Sequence, residues 1–444
     1  MGYNIGMVSL GCAKNQLDAE IMLGLLDGDG HKIVASPEDA DIIIVNTCGF
    51  IESAKQESID TILEMAEYKN DRCKALIVTG CLAERYNDEV LEQLPEVDAL
   101  LGVGDYDKIA KIINSTIAGE KPAIYGHKDT DPEEGLPRIL TTPSYTAYIK
   151  IAEGCDNHCT YCAIPKIRGK YRSRHPEAIV AEAEELAKSG VKELIVIAQD
   201  TTRYGKDLDG DITLAKLLED LCKIPGIEWI RTHYYYTEAV TDELIEVMAR
   251  EEKICNYIDM PIQHINDNVL RKMARRTNRA EIEKTLEKMR KAMPDCVIRT
   301  SLIVGFPQET EEEFSELLEF VKTGAFDRMG VFAYSQEEDT PAANFDGQID
   351  EDIKQKRLDI LMQHQQEISL QKNREKLGKI IRVLAEGYDE ECFLYYGRSY
   401  GDSIGVDGRV YFAAEDEVLP GDFVDVEILD CDEYDLTGKV LEEE

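Results

Sequence analysis

Residues 147–165 read AYIKIAEGCDNHCTYCAIP, an apolar segment that runs straight into a polar loop carrying three cysteines. Ala147–Ala152 reads as a strand, and Cys155, Cys159 and Cys162 follow it in C-x3-C-x2-C spacing. Three thiolates on one tight loop can hold three irons of a four-iron–four-sulfur cluster and leave the fourth open to a small chelating molecule. A structural zinc site is the alternative. Zinc takes four ligands in paired spacings, yet no second Cys or His pair follows at finger-like distance; His158 lies inside the motif and His175 stands alone.

Downstream, five further strand segments (Glu193–Ala198, Trp229–Tyr234, Tyr257–Met260, Val297–Val304 and Arg328–Tyr334) alternate with helical patterns. The helices are Pro176–Ser189, Leu214–Lys223, Thr241–Arg250, Asp267–Arg275, Arg279–Lys291 and Glu311–Thr323. Six βα repeats predict a partial or complete (β/α) barrel with its chemistry at the C-terminal strand ends. Upstream, strand runs at Tyr3–Leu10, Asp41–Asn46 and Ala75–Thr79 alternate with helices at Asn15–Leu26, Glu52–Tyr68 and Asp88–Leu94, which predicts a parallel sheet. Cys12 (SLGCAKN, 9–15), Cys48 (VNTCGF, 45–50) and Cys81 (VTGCLAE, 78–84) each follow one of these strands. Such loops share one sheet edge, so the three thiols are expected to meet as a second triad, again one ligand short. The other six cysteines (Cys73, Cys222, Cys255, Cys296, Cys392, Cys431) share no such equivalence and read as small apolar residues.

Gly126–Pro143 is polar and proline-bearing, a linker. Residues 349–376 read as one long helix, and the remainder as short strands between glycine turns. The fold class is therefore α/β in three parts. An N-terminal parallel α/β cluster domain (1–125) and the linker (126–143) precede a central (β/α) partial barrel (144–375) and a small C-terminal antiparallel β-barrel (376–444).

With 444 residues, 43% hydrophobic and 31% charged, the profile is globular, and no apolar run is long enough to span a bilayer. The N-terminus lacks the basic-then-apolar pattern of a secretory signal, so a cytoplasmic location is expected. There, twelve cysteines point to metal or redox chemistry rather than disulfides. The net charge of −38 opposes phosphate binding, and residues 380–444 alone hold 19 acidic against 4 basic side chains. A basic protein fits as partner better than RNA, although acidity also serves solubility.

Taken together, SLGCAKN, VNTCGF, VTGC, EGCDNHCTYCAIP, SLIVGFPQET (301–310) and the terminal barrel resemble the radical S-adenosylmethionine methylthiotransferases along essentially the whole chain. That resemblance implies a radical cluster on Cys155, Cys159 and Cys162 that chelates S-adenosylmethionine. It further implies an auxiliary four-iron–four-sulfur cluster on Cys12, Cys48 and Cys81 that carries the sulfur to be inserted, and a C-terminal TRAM domain. One S-adenosylmethionine would give its methyl group and a second the hydrogen-abstracting radical, with electrons from a donor such as flavodoxin or ferredoxin. IKIAEGC (149–155), AIPKIRGKYRSR (163–174), IAQDTTRYG (197–205), FAYSQEEDTPAA (332–343) and LYYGRSYGDS (394–403) look like the branch that modifies an aspartate β-carbon of a basic small-subunit ribosomal protein. The alternative branch modifies isopentenylated adenosine in transfer RNA; a zinc-stabilised ribosome-binding protein is a remote third reading. YYYTEAV (234–240) departs from the family's pattern, so no substrate contact is carried over from it.

Strand ends supply the other candidates. Gln199 and Asp200 are placed to bind the cofactor, or else to cap the next helix. Gln263 and His264 close the fourth strand, the histidine equally readable as structural. Arg299 and Ser301 lead into a turn whose Gly305 permits close backbone approach, by the cofactor or simply within the loop. Arg168, Arg172 and Arg174 are candidates for a substrate carboxylate, or else plain surface charges.

Overall fold

Strands buried on both faces need unbroken apolar runs, and Ile42–Thr47 and Ala75–Gly80 supply two in which every residue is buried. The computed structural model describes residues 2–131 and 134–441, so Pro132 and Glu133 of the expected linker and residues 442–444 of the acidic tail lie outside the described residues. The two strands form the middle of a six-stranded sheet. Its order is Lys32–Ile33, Asn4–Ser9, Ile42–Thr47, Ala75–Gly80, Ala99–Leu101 and Ala123–Ile124, every neighbouring pair parallel. Three of these strands are only two or three residues long, too short for a period to show in sequence. The winding reverses between Asn4–Ser9 and Ile42–Thr47, and such a reversal opens a crevice beyond the strand ends.

The central part has the six parallel strands its sequence implies, in two groups of three: Thr146–Lys150, Glu193–Ile197 and Trp229–Thr232, then Tyr257–Asp259, Val297–Val304 and Arg328–Ala333. A few backbone bonds join the groups, such as Cys255 N to Ile230 O at 2.9 Å and Tyr235 N to Asp259 O at 2.8 Å. The first and last strands do not pair, so the barrel is partial. Ile298, Leu302 and Val304 pack outward against helices, while Arg299, Ser301 and Ile303 alternate onto the inner face and stay half-buried.

After the helix Glu351–Arg374, the C-terminal strands close into a five-stranded barrel. Four of its pairings are antiparallel; Val410–Ala413 and Leu436–Val440 pair in parallel, a pairing that short alternating segments do not reveal. This barrel docks on the strand starts of the central part. Its buried segment 399–403 enters from beneath, with Asp402 on Arg328 (3.0 Å) and Ser403 against His233 (3.0 Å). Among the described residues no helix is long and apolar enough to cross a membrane.

At this junction Glu193 is fully buried between Arg398 (2.6 Å) and Arg231 (3.1 Å). Burial alone would raise its carboxyl, but the two guanidiniums bring it down to about 2 from an ordinary 4.5. A depressed folded-state value contributes stability above about pH 4.5 that is lost as pH falls toward 2. Glu193→Gln leaves the buried Arg231 without a carboxylate and Arg398 with Glu386 alone, at 2.6 Å. It is expected to cost about 3–5 kcal/mol near neutral pH and to flatten the fall of unfolding temperature with acid. Thermal unfolding scans across that range check it; equal slopes for both proteins would contradict the assignment.

Candidate functional site

The first triad forms where the sheet's winding reverses. Gly11 has φ +89°, and a Cβ there would lie 3.2 Å from the Cys48 sulfur, so the residue before Cys12 packs directly on Cys48. Gly80, at φ +92°, lets the Cys81 loop press on Asn46 and Thr47, where a Cβ would come within 2.6 Å of two oxygens. Asn15 and Asn46 lace the loops together: Asn15 Nδ2 donates to Leu10 O at 2.7 Å, and Asn46 Nδ2 to Asn15 O at 2.7 Å. Ser58 fixes Cys48 through both its backbone N–H (3.1 Å) and its carbonyl (2.8 Å).

The three thiols differ in environment. Burial pushes Cys81 up to about 11 against the pull of Arg168, and burial likewise raises Cys48. At Cys12 the protein packed around one side of the sulfur disfavours its charge, but Lys14 and Arg168 outweigh that and bring it down. Cys12 is also the solvent-exposed member, so the triad opens on its side.

The second triad sits on the loop after Thr146–Lys150. The Asn157 N–H donates to the Cys155 sulfur and the Ile164 N–H to the Cys162 sulfur, each at 3.4 Å. Burial raises Cys155 to about 11 and Cys162 further, the neighbouring thiols adding to the effect. Cys155 and Cys159 are buried and Cys162 half-buried. Arg275 stacks at 4.3 Å from the Tyr236 ring centroid, and both lie near this triad.

Among the described residues, no three His, Cys, Asp or Glu side chains converge as ligands of a single metal ion. A zinc site needs that convergence, whereas a four-iron cluster takes one thiolate per iron and spreads its ligands. Thiols grouped in threes, N–H donors aimed at sulfur and cations beside them fit such clusters.

A buried ionic network joins the two triads. Lys150, at the end of the first barrel strand, reaches Asp18 (2.6 Å) and Glu153 (2.7 Å). Arg168 also pairs with Asp18 (2.6 Å) and Glu153 (3.3 Å), while its second nitrogen meets Asn15 (3.2 Å) and the Cys81 sulfur (3.5 Å). Burial opposes both charged forms, yet Asp18 and Glu153 keep Lys150 protonated, and Lys150 and Arg168 hold Glu153 well below the usual carboxylate range.

The other candidates fall out unevenly. Arg168, Arg172 and Arg174 are all buried rather than surface charges. Arg174 pairs with Glu134 and Glu182 at 2.7 Å each, which commits it, whereas Arg172 donates to the Lys170 carbonyl and its buried Nε has no partner among the described residues. Asp200 accepts from Asn157 (2.8 Å) and Thr202 (2.6 Å), pinning the cysteine loop. Gln199 donates to Glu153 at 2.6 Å, while its buried Oε1 has no partner among the described residues. Gln263 is half-buried at φ +71°. Arg299 and Ser301 do share the inner face, but Arg299 is tied to Asp259 at 2.7 Å. A Cβ on Gly305 would strike the Lys354 side chain at 2.2 Å, so its close neighbour is a helix residue. His264 is fully buried against Glu309 at 3.2 Å, a structural role. Lys14, Tyr234, Asp18, Lys150 and Arg275 carry no motif of their own and emerge only from the packing.

The chain matches the Radical SAM superfamily over residues 149–321, the Uncharacterized protein family UPF0004 over 4–102 and the TRAM domain over 377–441. It is 54% identical over 444 residues to the ribosomal protein uS12 methylthiotransferase RimO of Clostridium botulinum (strain Eklund 17B / Type B), covering 99% of each chain. The chain belongs to the RimO family. The RimO of Acetivibrio thermocellus is 50% identical over 450 residues, covering 100% of this chain and 99% of that one. Among solved structures, the radical S-adenosylmethionine methyltransferase TsrM of Kitasatospora setae shares the fold, with a TM-score of 0.58, 13% identity and 77% of each chain covered.

Anaerobically reconstituted protein is expected to bind about eight irons per chain, and replacing either triad with three alanines to leave about four. Iron and labile-sulfide analysis checks this. Iron near zero after loss of one triad, or unchanged iron, would contradict two independent sites.

Proposed function

We propose that this chain is a radical S-adenosylmethionine methylthiotransferase that replaces a hydrogen on the β-carbon of an aspartate in ribosomal protein uS12 with a methylthio group. Family membership across the whole chain supports the reaction class. The observation that carries the chemistry is the pair of thiol triads at strand ends, laced into one rigid junction by the network around Arg168.

In this reading Cys12, Cys48 and Cys81 hold an auxiliary cluster, and Cys155, Cys159 and Cys162 hold the radical cluster. Two four-iron–four-sulfur clusters and S-adenosylmethionine supply, when bound, the methyl group, the sulfur and the radical that side chains cannot provide. The chain's own residues position and insulate. Arg168 and Lys14 set positive charge beside Cys12, which suits an anionic thiolate site. Asn157 and Asp200 fix the loop of the radical triad. The unpartnered Gln199 Oε1 suits an ammonium or hydroxyl donor of the cofactor. Working parts at 1–125, 144–375 and 376–444, joined by the linker 126–143, divide the tasks of sulfur delivery, radical generation and substrate docking.

The acidic C-terminal part suits a basic ribosomal protein rather than RNA, and a cytoplasmic setting with a flavodoxin- or ferredoxin-type donor fits this chemistry. Whole-protein mass spectrometry of the small ribosomal subunit tests the proposal. Deleting the gene is expected to shift uS12 down by one methylthio group less a hydrogen, and restoring it to reverse the change. Unchanged uS12 with loss of methylthioadenosine from transfer RNA would overturn the substrate.

A further inference from the structure

Among the described residues, two buried cations of the thiol junction have no carboxylate at ion-pair distance: Arg275, which lies over the Tyr236 ring and donates to the Pro261 carbonyl, and Lys14. Lys150 and Arg168 share Asp18 and Glu153. Lys14 is 8% exposed, and its ammonium lies 3.3 Å from the ring centroid of Tyr234. Among the described residues its ammonium has no carboxylate at ion-pair distance; the nearby Asp259 is already held by Arg299 at 2.7 Å and accepts the Tyr234 N–H at 3.2 Å. A buried ammonium that faces the Cys12 thiolate but has no carboxylate of its own is open to a further anionic ligand.

Its position says which ligand. Lys14 lies two residues after Cys12, the exposed thiol of its triad. Tyr234 follows the third barrel strand, Trp229–Thr232, on the side where barrels of this kind bind what they transform. Tyr234 is held at φ +65°, an uncommon backbone state for a bulky residue and one that cores do not require. Two residues on, Tyr236 faces the other triad. Lys14 thus stands between the auxiliary thiol Cys12 and the loop that follows the third barrel strand.

We propose that Lys14, steadied by the face of Tyr234, binds the side-chain carboxylate of the substrate aspartate. This rests on the reading of the substrate given above. In aspartate the β-carbon is bonded directly to the carboxylate carbon, so a cation gripping that carboxylate fixes the reacting carbon beside Cys12. Arg168 and Arg174 are already paired with carboxylates and Arg172 donates to the Lys170 carbonyl, and of these cations only Lys14 lies two residues from Cys12. A neutral amide in place of the carboxylate would lose the charge-assisted bond.

Binding of purified uS12 to the anaerobic, fully loaded enzyme tests this, with native uS12 and its target Asp→Asn form each measured against wild type, Lys14→Met and Lys14→Arg. Wild type is expected to prefer native uS12 by about 10- to 100-fold, the worth of one charged hydrogen bond. Lys14→Met is expected to bind both forms alike, near the wild-type affinity for the Asn form, and Lys14→Arg to restore most of the preference. Iron content confirms that each variant is loaded. If Lys14→Met keeps the preference for aspartate, or weakens both forms equally, the proposal falls while the substrate reading stands. If wild type binds neither form, the substrate reading fails and takes the proposal with it.

Discussion

The buried exchange of charge among Asp18, Lys150, Glu153 and Arg168 is the constraint on which the rest of this molecule depends. Asp18 belongs to the first helix, Lys150 to the first barrel strand, and Glu153 and Arg168 flank the second cysteine motif. Desolvating four charges is costly, and the cost is recovered only when all are in register. The arrangement therefore fixes one relative placement of sheet and barrel. Because Arg168 also touches the Cys81 sulfur and Asn15, that placement sets the separation of the two triads.

From that junction the molecule divides by strand polarity. Strand ends carry thiols, half-exposed polar groups and the strained Tyr234; strand starts are sealed by the C-terminal barrel through Glu193, Arg398 and the buried 399–403 segment. The thiol triads and the acidic C-terminal barrel are thereby held at opposite ends of one partial barrel. Such a separation lets the barrel stay rigid beneath the site while a large substrate approaches.

The cysteines were legible because parallel α/β topology converts a sequence pattern, strand then cysteine then helix, into a place. The central strands were legible for the same reason, their apolar runs being long enough to show. What escaped reading depends on partners far away in the chain. Arg168 looks like one of a basic surface cluster until Asp18, 150 residues earlier, is folded onto it. Gly305 looks like a cradle until Lys354 fills it. Lys14 sits inside a motif read for its cysteine, and nothing in SLGCAKN tells that its ammonium will rest on Tyr234, in the very stretch that departs from the family's pattern. In the terminal barrel, Leu436–Val440 pairs antiparallel with its sequence neighbour Phe423–Cys431, as alternating segments suggest, and its second, parallel pairing with Val410–Ala413 depends on a strand far back in the chain.

Electron paramagnetic resonance of the doubly reduced protein tests the shared-cavity arrangement most directly. Two clusters held at neighbouring strand ends should couple, giving a spectrum broadened beyond the sum of those recorded from proteins lacking one triad or the other. A doubly reduced spectrum equal to that simple sum would place the clusters far apart and contradict the account.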